Sequence, residues 1–207
     1  THLADVVETV VDDAGVDHAI WLGHSFGGRL ILDLYDWYPD HVSAAVLLDP
    51  AIQVPASRAL ELAERERQEK AFGTVDEAIT TRIETAPLLH TPRELLEEEM
   101  REHLARSPDG LLRYRYSQAA VVAMYGELAG APPRPPEGIP TLVVVGEDSG
   151  LVAEGQLEDL HRALGDLLEV ATVPGGHIVL WDAYEKTAAA VEAFVTAAEA
   201  RLPRTRR

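Results

Sequence analysis

A serine between two glycines is the residue of this chain best suited to nucleophilic chemistry. Ser25 lies in Gly23-His24-Ser25-Phe26-Gly27, a segment of the form G-x-S-x-G between an apolar run and an amphipathic one. In that context the pattern indicates a nucleophile on a sharp strand-to-helix turn. The turn strains the backbone, so we expect Gly23 and Gly27 to be glycines because a Cβ would not fit. It also aims backbone N–H groups at the attacked carbonyl, which predicts that the Phe26 N–H binds an oxyanion.

His177 is the histidine best suited to act as the general base. A serine hydroxyl is a poor nucleophile until a neutral imidazole removes its proton during attack. His177 follows Gly175 and Gly176 in a loop after an apolar run, and these glycines let the ring swing toward Ser25. His24 is expected to be a buried, hydrogen-bonded neighbour that points the other way.

Alternating strands and helices must position these residues. Apolar periodicity predicts a strand, a helix and a second strand around Ser25, which together form a parallel βαβ unit. The alternation returns near residue 141 and continues to the last long helix. The sequence therefore predicts an α/β fold with a mostly parallel sheet and flanking helices. The predicted strands are 19–22, 44–48, 141–145 and 168–173, and the predicted helices are 3–14, 29–38, 153–164 and 184–201.

The segment between these two parts has a different pattern. Residues 51–138 lack strand-like runs and show four helical stretches, near 57–71, 75–86, 92–106 and 115–129. We expect residues 1–50 and 139–207 to form one partial core and residues 51–138 to form an inserted helical lid. Several apolar side chains of this lid are candidates for an acyl pocket, although such stripes also arise from plain helix packing. These are Leu88, Leu89, Leu111, Leu112, Met124 and Tyr125.

Composition excludes several classes of function. The chain has 18 Lys and Arg against 35 Asp and Glu, a net charge of −17, which disfavours nucleic acid and anionic membrane surfaces as partners. It has no cysteine, which excludes thiolate catalysis, disulfides and Cys-type metal sites. No metal cluster and no need for a cofactor are evident. We expect a cytoplasmic protein, because no signal peptide or membrane span is recognisable.

The chain resembles the α/β-hydrolase family over nearly its whole length. The resemblance is carried by Gly23-His24-Ser25-Phe26-Gly27-Gly28, an aspartate at the end of the next strand, the helical insertion, a strand that ends near Asp148, and Gly176-His177 before the last helix. The order nucleophile, acid, histidine is the family's order. The serine argues against the dehalogenases and epoxide hydrolases of this family, which use an aspartate nucleophile.

The resemblance leaves two candidates for the acid. Family members often place it three residues after the glycine that ends the penultimate strand, and here that position is Ser149, which carries no charge. Asp148 is one residue away from this position, whereas Asp49 ends the strand after the nucleophile helix, from which other members supply the acid. A shift of one residue at a strand end turns a side chain to the opposite face, so Asp49 is slightly favoured. An aspartate before a proline is also an ordinary turn residue.

The family's first four strands and its oxyanion loop, which donates a second N–H, have no counterpart in this sequence. By this analogy the nucleophile strand becomes an open apolar edge that favours association with another chain. Loss of one oxyanion donor costs on the order of a hundredfold or more in rate. We therefore expect these 207 residues alone to be weakly active or inactive and prone to associate, unless a further N-terminal segment completes the fold.

These residues predict a serine hydrolase acting on a small apolar acyl substrate, such as an ester, through an acyl-enzyme. Ser25 attacks, His177 transfers the proton, and Asp49 or Asp148 orients the histidine. Hydrolysis of a carbon–carbon bond or a lactone, and acyl transfer, are not separated from ester hydrolysis. The alternative is a non-catalytic binding module that retains a degraded hydrolase fold, because a fold alone does not prove activity.

Overall fold

The computed structural model describes residues 2–85, 88 and 91–201. This part of the chain contains nine α-helices and seven strands, joined by turns and loops. The elements are, in chain order, α1 (His2–Asp13), β1 (Ala19–His24), α2 (Phe26–Trp37), β2 (Val42–Leu48), α3 (Ala56–Arg67), β3 (Ala71–Phe72), α4 (Val75–Thr85), α5 (Arg93–His103), β4 (Leu104–Arg106), β5 (Leu112–Tyr114), α6 (Gln118–Ala129), β6 (Thr141–Gly146), α7 (Glu154–Leu164), β7 (Leu168–Val173), α8 (Val179–Asp182) and α9 (Tyr184–Arg201).

The chain divides into two units. The sheet unit comprises Thr1–Ile52 and Pro132–Arg207, and the helical unit comprises Gln53–Ala131. The sequence predicts these boundaries after residues 50 and 138, so the larger difference is at the second boundary. There the proline-rich segment belongs to the sheet unit, where Arg134 forms a 2.6 Å ion pair with Asp36 of α2.

The sheet unit contains a parallel sheet with helices on both faces, as the sequence predicts. The strand order is β1-β2-β6-β7, and every neighbouring pair is parallel. The α/β fold class is therefore confirmed. Strand lengths match or exceed the predicted ones, because the ladder begins at Val42 of β2 and continues through His24 of β1 and Gly146 of β6.

The alternation of side chains across β2 and β6 builds a core on each face. On one face Leu47 and Val143 pack with residues of α2 and α7 such as Leu32 and Leu160. On the other face Val46, Val144 and neighbouring apolar residues pack with Phe194 of α9 and with Val179 of α8. Because β2 and β6 are buried on both faces, their sequences are nearly continuous apolar runs.

Parallel pairing brings the carboxyl ends of all four strands of this sheet to one edge. His24 at the end of β1 pairs with Leu48 at the end of β2, and β7 ends beside β6 at the pair Gly146 and Val173. The residues that follow these ends therefore lie together, at the edge where open α/β sheets bind their ligands.

The helical unit departs from the prediction that strand-like runs disappear from this part of the chain. Besides α3, α4, α5 and α6 it contains a small antiparallel sheet in the order β3-β5-β4. These strands are two or three residues long, too short to produce a recognisable alternation of apolar and polar residues.

Within the described residues, none of the helices combines the length and the apolar character that a membrane crossing requires.

Candidate active site

Ser25 occupies a strained turn between β1 and α2. Its backbone has φ 56° and ψ −119°, a conformation that a residue with a side chain rarely adopts. Three hydrogen bonds hold it: the Ser25 N–H donates to the Leu48 carbonyl, and the Ser25 carbonyl accepts from the N–H groups of Gly28 and Ala51, each at 3.0 Å. The hydroxyl makes no helix-capping hydrogen bond and is thus available for other partners.

Close packing explains two of the glycines in this turn, Gly23, as the sequence predicts, and Gly28, for which the sequence makes no such prediction. A Cβ on Gly23 would lie 2.5 Å from the Gly27 carbonyl group, and a Cβ on Gly28 would lie 2.6 Å from the Pro50 Cβ. A Cβ on Gly27 would have no heavy atom of its surroundings within 4 Å. The expectation that Gly27 must lack a Cβ is therefore wrong, because Gly27 supplies the backbone against which Gly23 packs.

His177 lies between Ser25 and Asp49. Its Nε2 is 2.8 Å from the Ser25 Oγ, and its Nδ1 is 2.6 Å from the Asp49 Oδ2. A carboxylate can only accept, so Nδ1 carries the proton in the neutral ring and Nε2 accepts from the serine hydroxyl. The imidazole side chain is 27% exposed, whereas the Asp49 side chain is fully buried.

The Asp49 carboxylate has a donor for each oxygen in addition to His177. The Gly146 N–H donates to Oδ1 at 3.1 Å, and the Ser149 Oγ lies 2.5 Å from Oδ2. The backbone of Asp49 has φ 40°, and its N–H donates to the Val144 carbonyl at 2.7 Å. A buried carboxylate needs such donors because they replace the water it has lost.

Asp148 is the candidate acid that the structure does not bring to the histidine. It is exposed, and its N–H donates to the Gly175 carbonyl at 2.9 Å. Both ring nitrogens of His177 already have partners, and these are Ser25 and Asp49. The reason is the direction of the chain after β6: Asp148 lies in the turn beyond the strand, and Ser149 is the residue whose side chain returns to Asp49.

Ser149 enters the sequence analysis only as a residue that lacks the expected charge. The structure shows its hydroxyl in contact with the Asp49 carboxylate, at the position where the resemblance predicts the acid itself. One feature of the sequence could have indicated this contact. Ser149, which can donate a hydrogen bond, follows the end of β6, and Asp49 follows the end of β2. The spacing of the residues along the chain does not reveal the contact, because 100 positions separate them.

His24 also has a different place from the expected one. It is partly buried and hydrogen-bonded, but it faces the histidine loop: its Nε2 is 2.8 Å from the His177 carbonyl oxygen, and the two rings lie 4.6 Å apart. Because a carbonyl accepts, the Nε2 of His24 carries the proton. Burial lowers the pKa of His24 below its ordinary value of 6.5, a shift that the charge of His177 reinforces and the hydrogen bond to the His177 carbonyl opposes.

Phe26 is the first residue of α2, which gives its backbone N–H a special position. The first N–H groups of a helix have no partner within the helix, and the helix dipole makes this end favourable for negative charge. The Phe26 N–H directly follows Ser25 and is thus a candidate donor to an oxyanion formed on the serine's substrate.

The arrangement provides the parts of a nucleophile activated by a base. Ser25 offers the hydroxyl, His177 offers an acceptor for its proton, and Asp49 faces the nitrogen that becomes cationic when the proton arrives. The three residues come from the ends of β1 and β2 and from the loop after β7. Their contacts join positions 128 and 152 residues apart along the chain.

A cavity in the helical unit is lined mainly by polar side chains, whereas the sequence predicts an apolar pocket. It measures about 240 Å³, and polar side chains such as Glu66, Lys70, Arg82 and Tyr116 line it. Burial, and next the charge of Glu66, raise the pKa of Tyr116 above its ordinary value.

The six predicted pocket residues have varied surroundings. Tyr125 lines the 240 Å³ cavity, and Leu88 and Leu112 are buried. Leu111 is exposed, Met124 is partly buried, and Leu89 lies outside the described residues. The apolar acyl pocket stays a prediction.

One group of metal-ligand type occurs among the described residues, although the sequence analysis names none. Glu8 and Asp12 of α1 and His41 before β2 place ligand atoms within 4.8 Å of one another. No motif in the sequence indicates this group, because its histidine comes from a distant part of the chain. Carboxylates on an exposed helix often cluster without a metal, so this geometry alone does not assign an ion to the group.

Comparisons with known proteins match this chain along most of its length. The family profile described as "alpha/beta hydrolase fold" matches residues 1–184. Lipase LipV of Mycobacterium tuberculosis (strain ATCC 25618 / H37Rv) is 31% identical over 172 residues, which cover 82% of this chain and 66% of the lipase. The chain thus spans slightly less than two thirds of that relative's length.

Solved structures show the same similarity in three dimensions. E-2-(Acetamidomethylene)succinate hydrolase superposes with a TM-score of 0.79 at 27% identity, covering 93% of this chain and 72% of that one. The M. tuberculosis esterase Rv0045c gives a TM-score of 0.65 at 21% identity, covering 94% of this chain and 67% of that one. The second likeness concerns the fold alone.

Proposed function

The chain belongs to the alpha/beta-hydrolase family, and on that premise we propose that it is a serine hydrolase that cleaves an ester or a related acyl compound. One relative is named as a lipase and a solved structure at 27% identity is named as a hydrolase, which supports hydrolysis of an acyl bond. The small apolar acyl substrate expected from the sequence is part of this proposal, as is a cytoplasmic location.

The proposed reaction has two halves. The Ser25 Oγ attacks the carbonyl carbon while the His177 Nε2 takes the hydroxyl proton, and the carbonyl oxygen becomes an oxyanion that the Phe26 N–H binds. His177 then gives the proton to the leaving alkoxide, which departs as an alcohol. Water, deprotonated by the same nitrogen, attacks the acyl-enzyme and releases the acid, and the proton returns to Ser25.

One observation carries this proposal. The Ser25 Oγ, both ring nitrogens of His177 and the Asp49 Oδ2 form an unbroken chain with distances of 2.8 and 2.6 Å. Hydrogen bonds of this length place the base within reach of the proton it must remove. The buried charge of Asp49 stabilises the imidazolium that forms, as proposed for the acid of this type of mechanism.

Labelling with a fluorophosphonate tests the proposed nucleophile, because this probe reacts with an activated serine. We expect the protein to be labelled at Ser25 and the Ser25→Ala variant to show no labelling. Ser57→Ala, which changes an exposed serine of α3, is the matched control and should be labelled like the unchanged protein. Mass spectrometry of the peptide that contains residue 25 identifies the site.

Two results would contradict the hydrolase proposal. Equal labelling of the Ser25→Ala variant would place the reactive group elsewhere, and absence of labelling from the folded protein would favour the binding module instead. We expect slow turnover of a p-nitrophenyl ester by the 207-residue protein, because Phe26 is the one oxyanion donor assigned among the described residues. An oxyanion site with one donor fewer is slower by on the order of a hundredfold or more.

A further inference from the structure

Ser149 makes two hydrogen bonds that define where its proton points. Its Oγ accepts from the Leu151 N–H at 3.3 Å and lies 2.5 Å from the Asp49 Oδ2. A hydroxyl has one proton, and a carboxylate oxygen accepts but does not donate. The Leu151 N–H occupies a lone pair of Oγ, so the proton of Ser149 is directed at Oδ2.

The same carboxylate oxygen serves the histidine. Asp49 Oδ2 accepts from the His177 Nδ1 at 2.6 Å as well as from Ser149, while Oδ1 is held by the Gly146 N–H at 3.1 Å. Two donors on the β6 side therefore fix the rotation of the carboxylate about its Cβ–Cγ bond. With that rotation fixed, one lone pair of Oδ2 faces His177.

We propose that Ser149 is a positioning residue, which holds the Asp49 carboxylate in the orientation that keeps the His177 Nε2 directed at Ser25. This inference rests on the proposed hydrolase function. The end of β6 and the turn after it thus anchor an acid that comes from the end of β2. Ser149 acts through Asp49 and does not contact the reacting atoms.

The test compares Ser149→Ala with Ser149→Thr, which keeps the hydroxyl. We expect Ser149→Ala to slow fluorophosphonate labelling of Ser25 about tenfold, the effect of losing one hydrogen bond to a charged group. Ser149→Thr should label within about threefold of the unchanged protein, since its hydroxyl can make the same bond. Ser57→Ala again serves as the control for a neutral serine change, and circular dichroism checks that each variant folds.

A spectroscopic readout makes the test independent of activity. The proton on the His177 Nδ1 gives a far-downfield resonance when it is held against a buried carboxylate, and removal of the Ser149 donor changes the charge on the accepting oxygen. We expect this resonance to move in Ser149→Ala and to return to its original position in Ser149→Thr. If Ser149 only stabilised the fold, Ser149→Thr would not restore the position of this resonance.

The failures of the two proposals are distinguishable. If the unchanged protein is labelled and Ser149→Ala is labelled equally fast with an unmoved resonance, the positioning role is refuted and the hydrolase function stands. If the unchanged protein is not labelled, the hydrolase proposal fails, and the resonance alone then decides whether Ser149 orients Asp49. A slowed Ser149→Ala that Ser149→Thr does not rescue also refutes the role of the hydroxyl.

Discussion

At the scale of single residues, Asp49 carries a fully buried carboxylate with three donors around it. Asp148, the other acid that the sequence offers as a candidate, is exposed. The chemistry of the two side chains is identical, and only their surroundings separate them. Whether a carboxylate orients the histidine is therefore a question that a pair of matched substitutions can answer.

We predict that Asp49→Asn lowers the rate constant for labelling of Ser25 about a thousandfold or more, because the amide cannot stabilise the imidazolium or hold the correct tautomer. Asparagine tolerates the positive φ of 40° at this position, so the variant should fold. Asp148→Asn is the matched control and should stay within about twofold of the unchanged protein. The reverse ranking would show that Asp148 is the acid.

The lowered pKa of His24 implies a dependence of stability on pH. Burial disfavours the charged ring in the folded protein, whereas the unfolded chain takes up a proton near the ordinary pKa of 6.5. Below that pH the unfolded state therefore binds more protons at this position, and the free energy of unfolding decreases as the pH falls through 6.5. The decrease ends at the lower pKa of the folded state.

Substitution by glutamine tests this contribution, since the glutamine amide would keep a donor for the His177 carbonyl and would not titrate. We predict that His24→Gln loses less stability between pH 7.5 and pH 5.5 than the unchanged protein in urea unfolding. His161→Gln, at an exposed position of α7, is the control and should leave the pH dependence unchanged. An identical pH dependence in His24→Gln would show that His24 does not carry the effect.

At the scale of elements, the turn from β1 to α2 depends on close backbone contacts. Gly23 packs on Gly27, and Gly28 packs on Pro50, the residue after Asp49. The second contact matters for the site because it brings the start of α2 against the end of β2. Ser25 and Asp49 are thus held by neighbouring parts of the same packed turn.

We predict that Gly28→Ala destabilises the protein by about 1–3 kcal/mol, the cost of forcing an extra carbon into a packed contact. Gly27→Ala is the matched control within the same helix. It should be neutral or stabilising by up to about 1 kcal/mol, because its Cβ meets open space and alanine favours a helix. Urea unfolding measures both, and a larger loss for Gly27→Ala than for Gly28→Ala would overturn this account of the turn.

At the scale of the whole molecule, β1 is an outer strand of the sheet in the described part of the chain. It pairs with β2 on one side, and Leu22 in its centre is 51% exposed. Open apolar strand edges favour pairing with another chain, whereas lysine on an edge disfavours it. We therefore propose that the protein associates through this edge in solution. Its net charge of −17 opposes association, because like charges on two copies repel.

We predict that the 207-residue protein associates reversibly as its concentration rises and that Leu22→Lys weakens this association. Val10→Lys, which changes an exposed apolar residue of α1, is the control and should have no such effect. Sedimentation velocity over a range of concentrations measures the change. Association that is unaffected by Leu22→Lys but weakened by Val10→Lys would assign the contact to the helix instead.

The sequence by itself determined the fold class, the order along the chain of the four parallel strands and the choice of Ser25 and His177 as the residues to examine. These follow from short-range patterns, since apolar periodicity and a glycine-flanked serine reflect local backbone geometry. Local patterns alone predicted that Gly27, and not Gly28, must lack a Cβ. They could not include Pro50, which comes from another strand end and leaves no room for a Cβ on Gly28.

Only the tertiary structure decided which aspartate faces His177, that Ser149 donates to it, and that His24 contacts the histidine loop. Each of these contacts joins residues at least 100 positions apart, from different strand ends. Their distances depend on the strand order and register of the sheet, and packing between distant segments sets these. A spacing along the chain carries no such information, which is why the sequence favoured Asp49 over Asp148 only slightly although their surroundings differ strongly.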